Sequence, residues 1–316
     1  MKNAVMKRGI ICFVFCIAMA SSVDIVMKLA SFQMNPFQLV FWRFLLGGLF
    51  CLPFALRTIR REKIPFSPAA VTQFLLSGCI CVVLSTGLYQ IAIVTGQASI
   101  VSILYCCNPL FVAILAWLLL GERVTRGMAL ASVFYTGGIA VILFSQGKQI
   151  STLSCVFTLL ASGLLALYNV LGQRWVGRYP PVVYVTLSFL SGTIELLVLA
   201  GLSHIPVWTQ WAKQAGLSLL VCIPIVENLN PALIPGIVYI GVMATGLNYL
   251  ALQVATKTLS ANTAALIFYF KLILAPLLAW CVLGERLAWS TIWSMVLIFI
   301  AIGCKTAEAM WQRRTR

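Results

Sequence analysis

Acidic side chains are scarce in this chain. Its 316 residues include 7 Asp and Glu against 22 Lys and Arg, and His204 is the single histidine. Charged residues make up 9% of the total, where a soluble protein usually carries about 25%. One histidine among buried thiols does not make a metal site. No closely spaced acidic pair sits in a loop to run general acid–base chemistry. The chain also lacks a Walker motif, so it has no equipment for ATP hydrolysis. The residues therefore predict no enzyme, no metal and no cofactor. The 11 cysteines are an odd number and lie almost entirely in apolar stretches, as in Cys79-x-Cys81 and Cys106-Cys107. No paired spacing in loops suggests disulfides, and the thiols read as small hydrophobes.

What is abundant is apolar length. Hydrophobic residues make up 61% of the chain, and the mean hydropathy is +1.01. Crossing about 30 Å of hydrocarbon takes roughly 20 apolar residues. Ten runs qualify: 9–30, 36–56, 69–91, 97–120, 127–146, 151–174, 181–203, 231–255, 259–283 and 287–307. The expected fold is an all-α integral membrane protein. The net charge of +15 invites nucleic acid as a partner, but its distribution argues against that. With the N-terminus in the cytoplasm, 16 Lys and Arg fall on the inner side and Lys148, Lys213 and Arg286 on the outer side. This positive-inside bias predicts both termini in the cytoplasm of a bacterial-type inner membrane.

The chain is also written twice. Ala116–Arg123 and Ala279–Arg286 both read Ala-Trp-x-x-Leu-Gly-Glu-Arg, at an offset of 163 residues. The offset holds from Ala92 and Ala255 onward, and reaches back to Ser67-Pro68 against Asn230-Pro231. Earlier in each unit the offset is 145, with Asp24 on Asn169, Lys28 on Gln173 and Gly47 on Gly192. Lys2, Lys7, Arg8 and Ala18-Met19-Ala20 give the first run the look of a cleaved signal. Its counterpart in the second unit argues for retention. The units are 1–148 and 149–316, with five helices each. Five is odd, so the copies enter the membrane in opposite senses, a recurring plan of secondary transporters. Eighteen extra residues fall in 204–230. With Trp208 and Trp211 beside a run too short to span, this segment is expected at the outer interface. Ser67 and Asn230 precede prolines and are expected to cap helices.

These features resemble the EamA-type members of the drug/metabolite transporter superfamily, over nearly the whole chain. Pro109 and Gly121-Glu122 match the family's fourth-helix pattern in the first half, and Arg43 matches its second-helix arginine. In the second half Leu272 stands where the proline belongs, with Pro276 one turn later, and Ser188 replaces the arginine. The resemblance implies export or uptake of amino acids and other small metabolites, commonly driven by ion gradients. It does not imply a substrate.

Ionisable groups inside the bilayer are costly and mark function by default. Asp24, Arg43, Glu195, Lys271 and Lys28 are the candidates. Asp24 and Glu195 are candidate proton carriers, and Arg43 or Lys271 can receive a substrate carboxylate. The plainer alternative is two fixed ion pairs, Asp24–Arg43 and Glu195–Lys271. Lys28 suits a side chain that snorkels outward. Tyr89, Tyr105, Asn108, Tyr168, Asn169, Asn248 and Tyr269 are candidate substrate contacts, with rings that can stack on a flat or quaternary solute. Gly121, Glu122, Gly284 and Glu285 read as paired turns. The expected function is alternating-access transport of a small polar metabolite, with proton-coupled export first. Its partners are the solute, lipid and protons, and the chain acts as a monomer or homodimer. Uptake or exchange of an S-adenosylmethionine-like or quaternary-amine solute is the alternative. An enzyme acting on lipid-linked substrates and a channel are the readings from other classes.

Overall fold

The computed structural model describes residues 2–65, 67–121, 126–144, 151–175, 179–214, 218–227, 229–259 and 261–314. Among them there are helices and no strands. In order they are α1 Lys2–Ser31, α2 Pro36–Glu62, α3 Pro68–Gly78, α4 Gly87–Thr95, α5 Ala98–Tyr105, α6 Asn108–Leu120, α7 Arg126–Phe144, α8 Thr152–Trp175, α9 Pro181–Ser203, α10 Pro206–Gln214, α11 Ile234–Val238, α12 Asn248–Leu259, α13 Ala261–Leu283 and α14 Trp289–Arg314. π-helical segments at Cys79–Thr86 and Tyr239–Leu247 join α3 to α4 and α11 to α12. Seven stretches of the described residues are long and apolar enough to cross a bilayer. The other three of the ten expected runs appear as shorter apolar stretches, Ala129–Phe144, Phe270–Leu283 and Trp289–Cys304.

Helix starts follow the local chemistry. Ser67 Oγ accepts the Ala70 N–H, and Asn35 and Asn230 accept from Phe37 and Ala232, each before a proline. A proline at the first helical position wastes no donor, because its N–H would be unpaired there. Gly121 and Gly284 both sit at φ +68° after their helices, a left-handed conformation that a Cβ penalises. The glycine of each copy therefore leaves its helix with the same left-handed φ.

Packing also respects the repeat. α2 lies along α9, α7 along α14, and α1 against α12 and α13 while α8 lies against α4 and α6. Close approach depends on small residues. A Cβ on Gly78 would come within 2.5 Å of the Gly192 nitrogen, and one on Gly241 within 3.2 Å of the Arg43 carbonyl oxygen. Gly78 and Gly241 are related by the repeat offset, as are Gly192 and Gly47, which itself lies against Gly241.

The 204–230 segment is better anchored than a loop resting on lipid. Gln38 Nε2 donates to the carbonyls of Ile225 and Glu227, and Trp42 Nε1 donates to Ile225 at 2.9 Å. Ile223 is buried. The segment is therefore pinned over the start of α2, while Val207 and Trp211 of α10 stay exposed.

The break between α4 and α5 is held from both sides. Lys28 Nζ donates to the carbonyls of Ile93, Val94 and Gly96 at 2.5, 3.2 and 2.7 Å. A cation there satisfies carbonyls left free at the end of α4. This corrects the expectation of a snorkelling Lys28: those carbonyls offer better partners than lipid headgroups. Across the break, the Glu285 carboxylate accepts the N–H groups of Ala98 and Ser99 at 2.7 and 2.9 Å and the Ser99 hydroxyl at 2.6 Å. Glu285 thus does more than form a turn: it caps a helix that belongs to the other sequence unit. Its twin Glu122 lies outside the described residues. Glu285→Gln removes a charged cap worth about 0.5–2 kcal/mol. Hydrogen exchange at the Ala98 and Ser99 amides should accelerate about tenfold, while amides in α7 are unchanged; equal exchange in both proteins would remove the cap assignment.

Candidate functional site

α1 places Asp24 about two turns of helix before its end, and the residue is 1% exposed. An ionised carboxylate at that depth needs donors on both oxygens. It has them. Tyr89 Oη on α4 donates to Oδ1 at 2.7 Å, and Ser102 Oγ on α5 donates to Oδ2 at 2.8 Å. Lys271 Nζ on α13 completes the set at 3.0 Å from Oδ2. Four helices from both sequence units converge on this one carboxylate.

Aromatic rings wall the ammonium. Lys271 Nζ lies 5.3 Å from the Tyr105 ring centroid and 6.0 Å from that of Tyr89. The two rings are 4.4 Å apart, tilted at 43°. A cation over such faces is attracted by the ring quadrupole.

Arg43 enters the same region from α2. Its Nε donates to Thr245 Oγ1 at 2.9 Å and Nη1 to Met27 Sδ at 3.0 Å, with the guanidinium over the Phe44 ring. Thr245 is aimed by the second π-segment, where its hydroxyl donates to the Ile240 carbonyl five residues back at 2.8 Å. π-helical turns of this kind often sit at functional positions. Arg43 is in electrostatic reach of Asp24, Tyr89 and Tyr105, but no carboxylate among the described residues pairs with it.

Neither fixed ion pair of the plainer alternative, Asp24–Arg43 or Glu195–Lys271, is present among the described residues. Asp24 pairs with Lys271 rather than Arg43, because α13 packs on α1 directly opposite Asp24. Glu195 has no contact with Lys271, because α9 packs on α2, α3 and the first π-segment rather than on α13. It lies half-buried near Cys79, and its Oε2 is buried without a hydrogen-bond partner.

The remaining candidates scatter. Asn108 donates from Nδ2 to the Ser162 carbonyl at 2.8 Å, tying α6 to α8. Tyr168 stacks on Tyr184 in a different core cluster, 5.3 Å between centroids. Asn169, repeat partner of Asp24, is exposed. Asn248 is half-buried with its Oδ1 unpartnered. The side chain of Tyr269 lies outside the described residues. Ser102 and Thr245 were missed by sequence reasoning. Their signal was faint: a hydroxyl one helical turn before Tyr105, and a threonine between two glycines of a small-residue stretch.

Comparison with known proteins bears on this arrangement. The EamA-like transporter family matches residues 7–144 and 152–304, once for each sequence unit. An uncharacterized transporter of Clostridium kluyveri is 27% identical over 304 residues, covering 93% of this chain and 92% of that one. The uncharacterized transporter YdfC of Bacillus subtilis is 27% identical over 79% of this chain and 75% of its own length. Solute carrier family 35 member F3 of Homo sapiens is 30% identical over 95 residues, 30% of this chain and 23% of that protein. A solved crystal structure superposes with a TM-score of 0.62 over 96% of this chain and 97% of that one, at 15% identity, which concerns fold alone. With each half of the chain matched separately, this membrane protein belongs to the EamA-like transporter family.

Proposed function

We propose that the chain is a secondary transporter of a small amino-acid-like solute, working by alternating access between two inverted five-helix units. The observation that carries this reading is the buried Asp24–Lys271 pair, with Arg43 beside it and no carboxylate among the described residues paired to Arg43. Two cations and one carboxylate leave the centre one positive charge in excess. A bound carboxylate removes that excess, and a guanidinium presents the planar fork that fits it. Arg43 is accordingly the solute carboxylate's partner, and Thr245 positions it.

The same bookkeeping explains coupling. When Lys271 withdraws, Asp24 keeps its hydroxyl donors but loses its compensating cation in a dry interior, which is costly. A proton must replace the lost cation, so Asp24 alternates between Lys271 and a proton. Inversion is supported by the matched contacts: Gly78 on Gly192 and Gly241 on Gly47, and the equal left-handed turns at Gly121 and Gly284. The Glu285 and Lys28 contacts seal the α4–α5 end of the site. In this reading that end is the extracytoplasmic one, both termini lie in the cytoplasm, and net flux is outward in exchange for protons. Glu195, remote from the pair, is not assigned to the proton path.

Flux can be followed in proteoliposomes preloaded with an equimolar mixture of the twenty protein amino acids, each counted by mass spectrometry. Asp24→Asn and Lys271→Ala should each cut flux of the transported component at least about a hundredfold, the effect of roughly 3 kcal/mol for breaking a buried pair. The double variant Asp24→Asn/Lys271→Met removes both charges and should regain thermal stability but not flux; restored flux would make the pair purely structural. Arg43→Gln should depress efflux of carboxylate-bearing solutes while sparing decarboxylated amines loaded in their place. An inward proton gradient should speed efflux of the solute and an outward one slow it, and flux indifferent to both would remove proton coupling.

A further inference from the structure

Two lysines of this protein, Lys28 half-buried and Lys271 buried, are held in different ways. Lys28 donates to three backbone carbonyls at 2.5–3.2 Å, and its amine is tied to fixed backbone. Among the described residues Lys271 has one oxygen partner, Asp24 Oδ2, with the faces of Tyr105 and Tyr89 around it and Cys106 in electrostatic reach. An ammonium has three N–H donors, so Lys271 is under-partnered where Lys28 is full. Asp24, by contrast, keeps two neutral hydroxyl donors that do not depend on Lys271. The carboxylate stays oriented whether or not the lysine is present.

We propose that Asp24, Ser102, Tyr89 and Tyr105 form a recognition site for a primary ammonium, and that Lys271 is its tethered occupant in the solute-free protein. The inference rests on the transport reading above and names what displaces the lysine: the solute's own amino group. The geometry selects the class of amine. Lys271 Nζ stands 3.0 Å from the carboxylate oxygen, a hydrogen-bond distance that requires an N–H on the nitrogen. A quaternary nitrogen holds methyl groups in that direction, whose carbons need about 3.5–4.0 Å of their own. It would be pushed out of contact with Asp24. The ring pair therefore serves an ammonium that keeps an N–H, as the primary amine of Lys271 does, and the quaternary solute raised by the aromatic content is disfavoured. Proton and solute amine compete for one carboxylate, which yields exchange rather than co-transport. Lys271 keeps that carboxylate compensated in the absence of both.

The probe is n-propylammonium chloride, added to the purified full-length chain in lipid nanodiscs, with tetramethylammonium chloride and potassium chloride as controls and thermal unfolding as the readout. Lys271→Ala opens the site, and it should show saturable stabilisation by propylammonium at a concentration at least tenfold lower than wild type. Tetramethylammonium should stabilise neither protein beyond the potassium control. Adding Asp24→Asn to Lys271→Ala should abolish the effect. If Lys271→Ala does not fold, Lys271→Met combined with Asp24→Asn or wild-type Asp24 makes the same comparison at preserved side-chain volume. Equal propylammonium affinity in wild type and the Lys271 variant, or affinity undiminished by Asp24→Asn, overturns the proposal. Amino-acid flux without amine binding refutes this inference alone. Amine binding without flux of any amino acid refutes the transport reading and leaves the ammonium site standing.

Discussion

A charge inside hydrocarbon has to be matched, and the match Asp24 finds organises the centre of this protein. Its two oxygens draw Tyr89, Ser102 and Lys271 inward from α4, α5 and α13. No apolar contact has that reach. Leu and Ile packing against lipid-facing helices gains little, because lipid tails are as apolar as the side chains they would replace. Specific convergence of helices must come from polar contacts and from the close backbone approach that small residues allow. Both are seen here, the first at Asp24 and the second where Gly78 meets Gly192.

Placing those side chains requires helices that are not continuous rods. α4 ends at Thr95 and α5 begins at Ala98, leaving free carbonyls and free N–H groups within a few residues of each other. Water would ordinarily satisfy them. Here Lys28 serves the carbonyls and Glu285 the N–H groups. Each is also favoured by the partial charge of the helix end it meets. The one acidic residue of the second Gly-Glu turn thus closes the first unit's helix break, which makes the duplication a mechanical coupling between units. The π-segments add the second device. Each shifts the register of its helix, and the second aims Thr245 at Arg43.

Much of this was legible in the residues and some was not, for definable reasons. Apolar runs gave the membrane helices because length and hydropathy are local properties. Ser67-Pro68 and Asn230-Pro231 gave helix starts because capping is local too. Pairings were harder. Sequence position gives a residue's place along its helix, but it does not say which helix stands opposite. Two basic residues were available, and nothing in the spacing chose Lys271 over Arg43. Asn169 shows the same limit. It matches Asp24 in the repeat yet is exposed, since equivalent positions need not keep equivalent surroundings once the sequences diverge. Lys28 was misjudged because a lysine near a helix end suggests snorkelling, and only the tertiary structure reveals a closer set of carbonyls.

The places where the copies disagree now acquire direction. A perfect inverted repeat would present the same groups toward each side of the membrane and hold a solute equally well in either orientation. Asp24 against Asn169, Arg43 against Ser188 and Lys271 against Asn108 break that symmetry. All three charged members end in one region, while Asn108 ties α6 to α8 and Ser188 bonds the Tyr184 carbonyl within its own helix. The charges were therefore not spread between the units but gathered at a single asymmetric centre. In the proposed alternating-access reading, an asymmetric centre on a symmetric scaffold lets the scaffold keep two nearly equivalent outward and inward shapes while the solute is held in one orientation. On that proposal the two tasks separate: the symmetric part would govern access, and the asymmetric part what is carried.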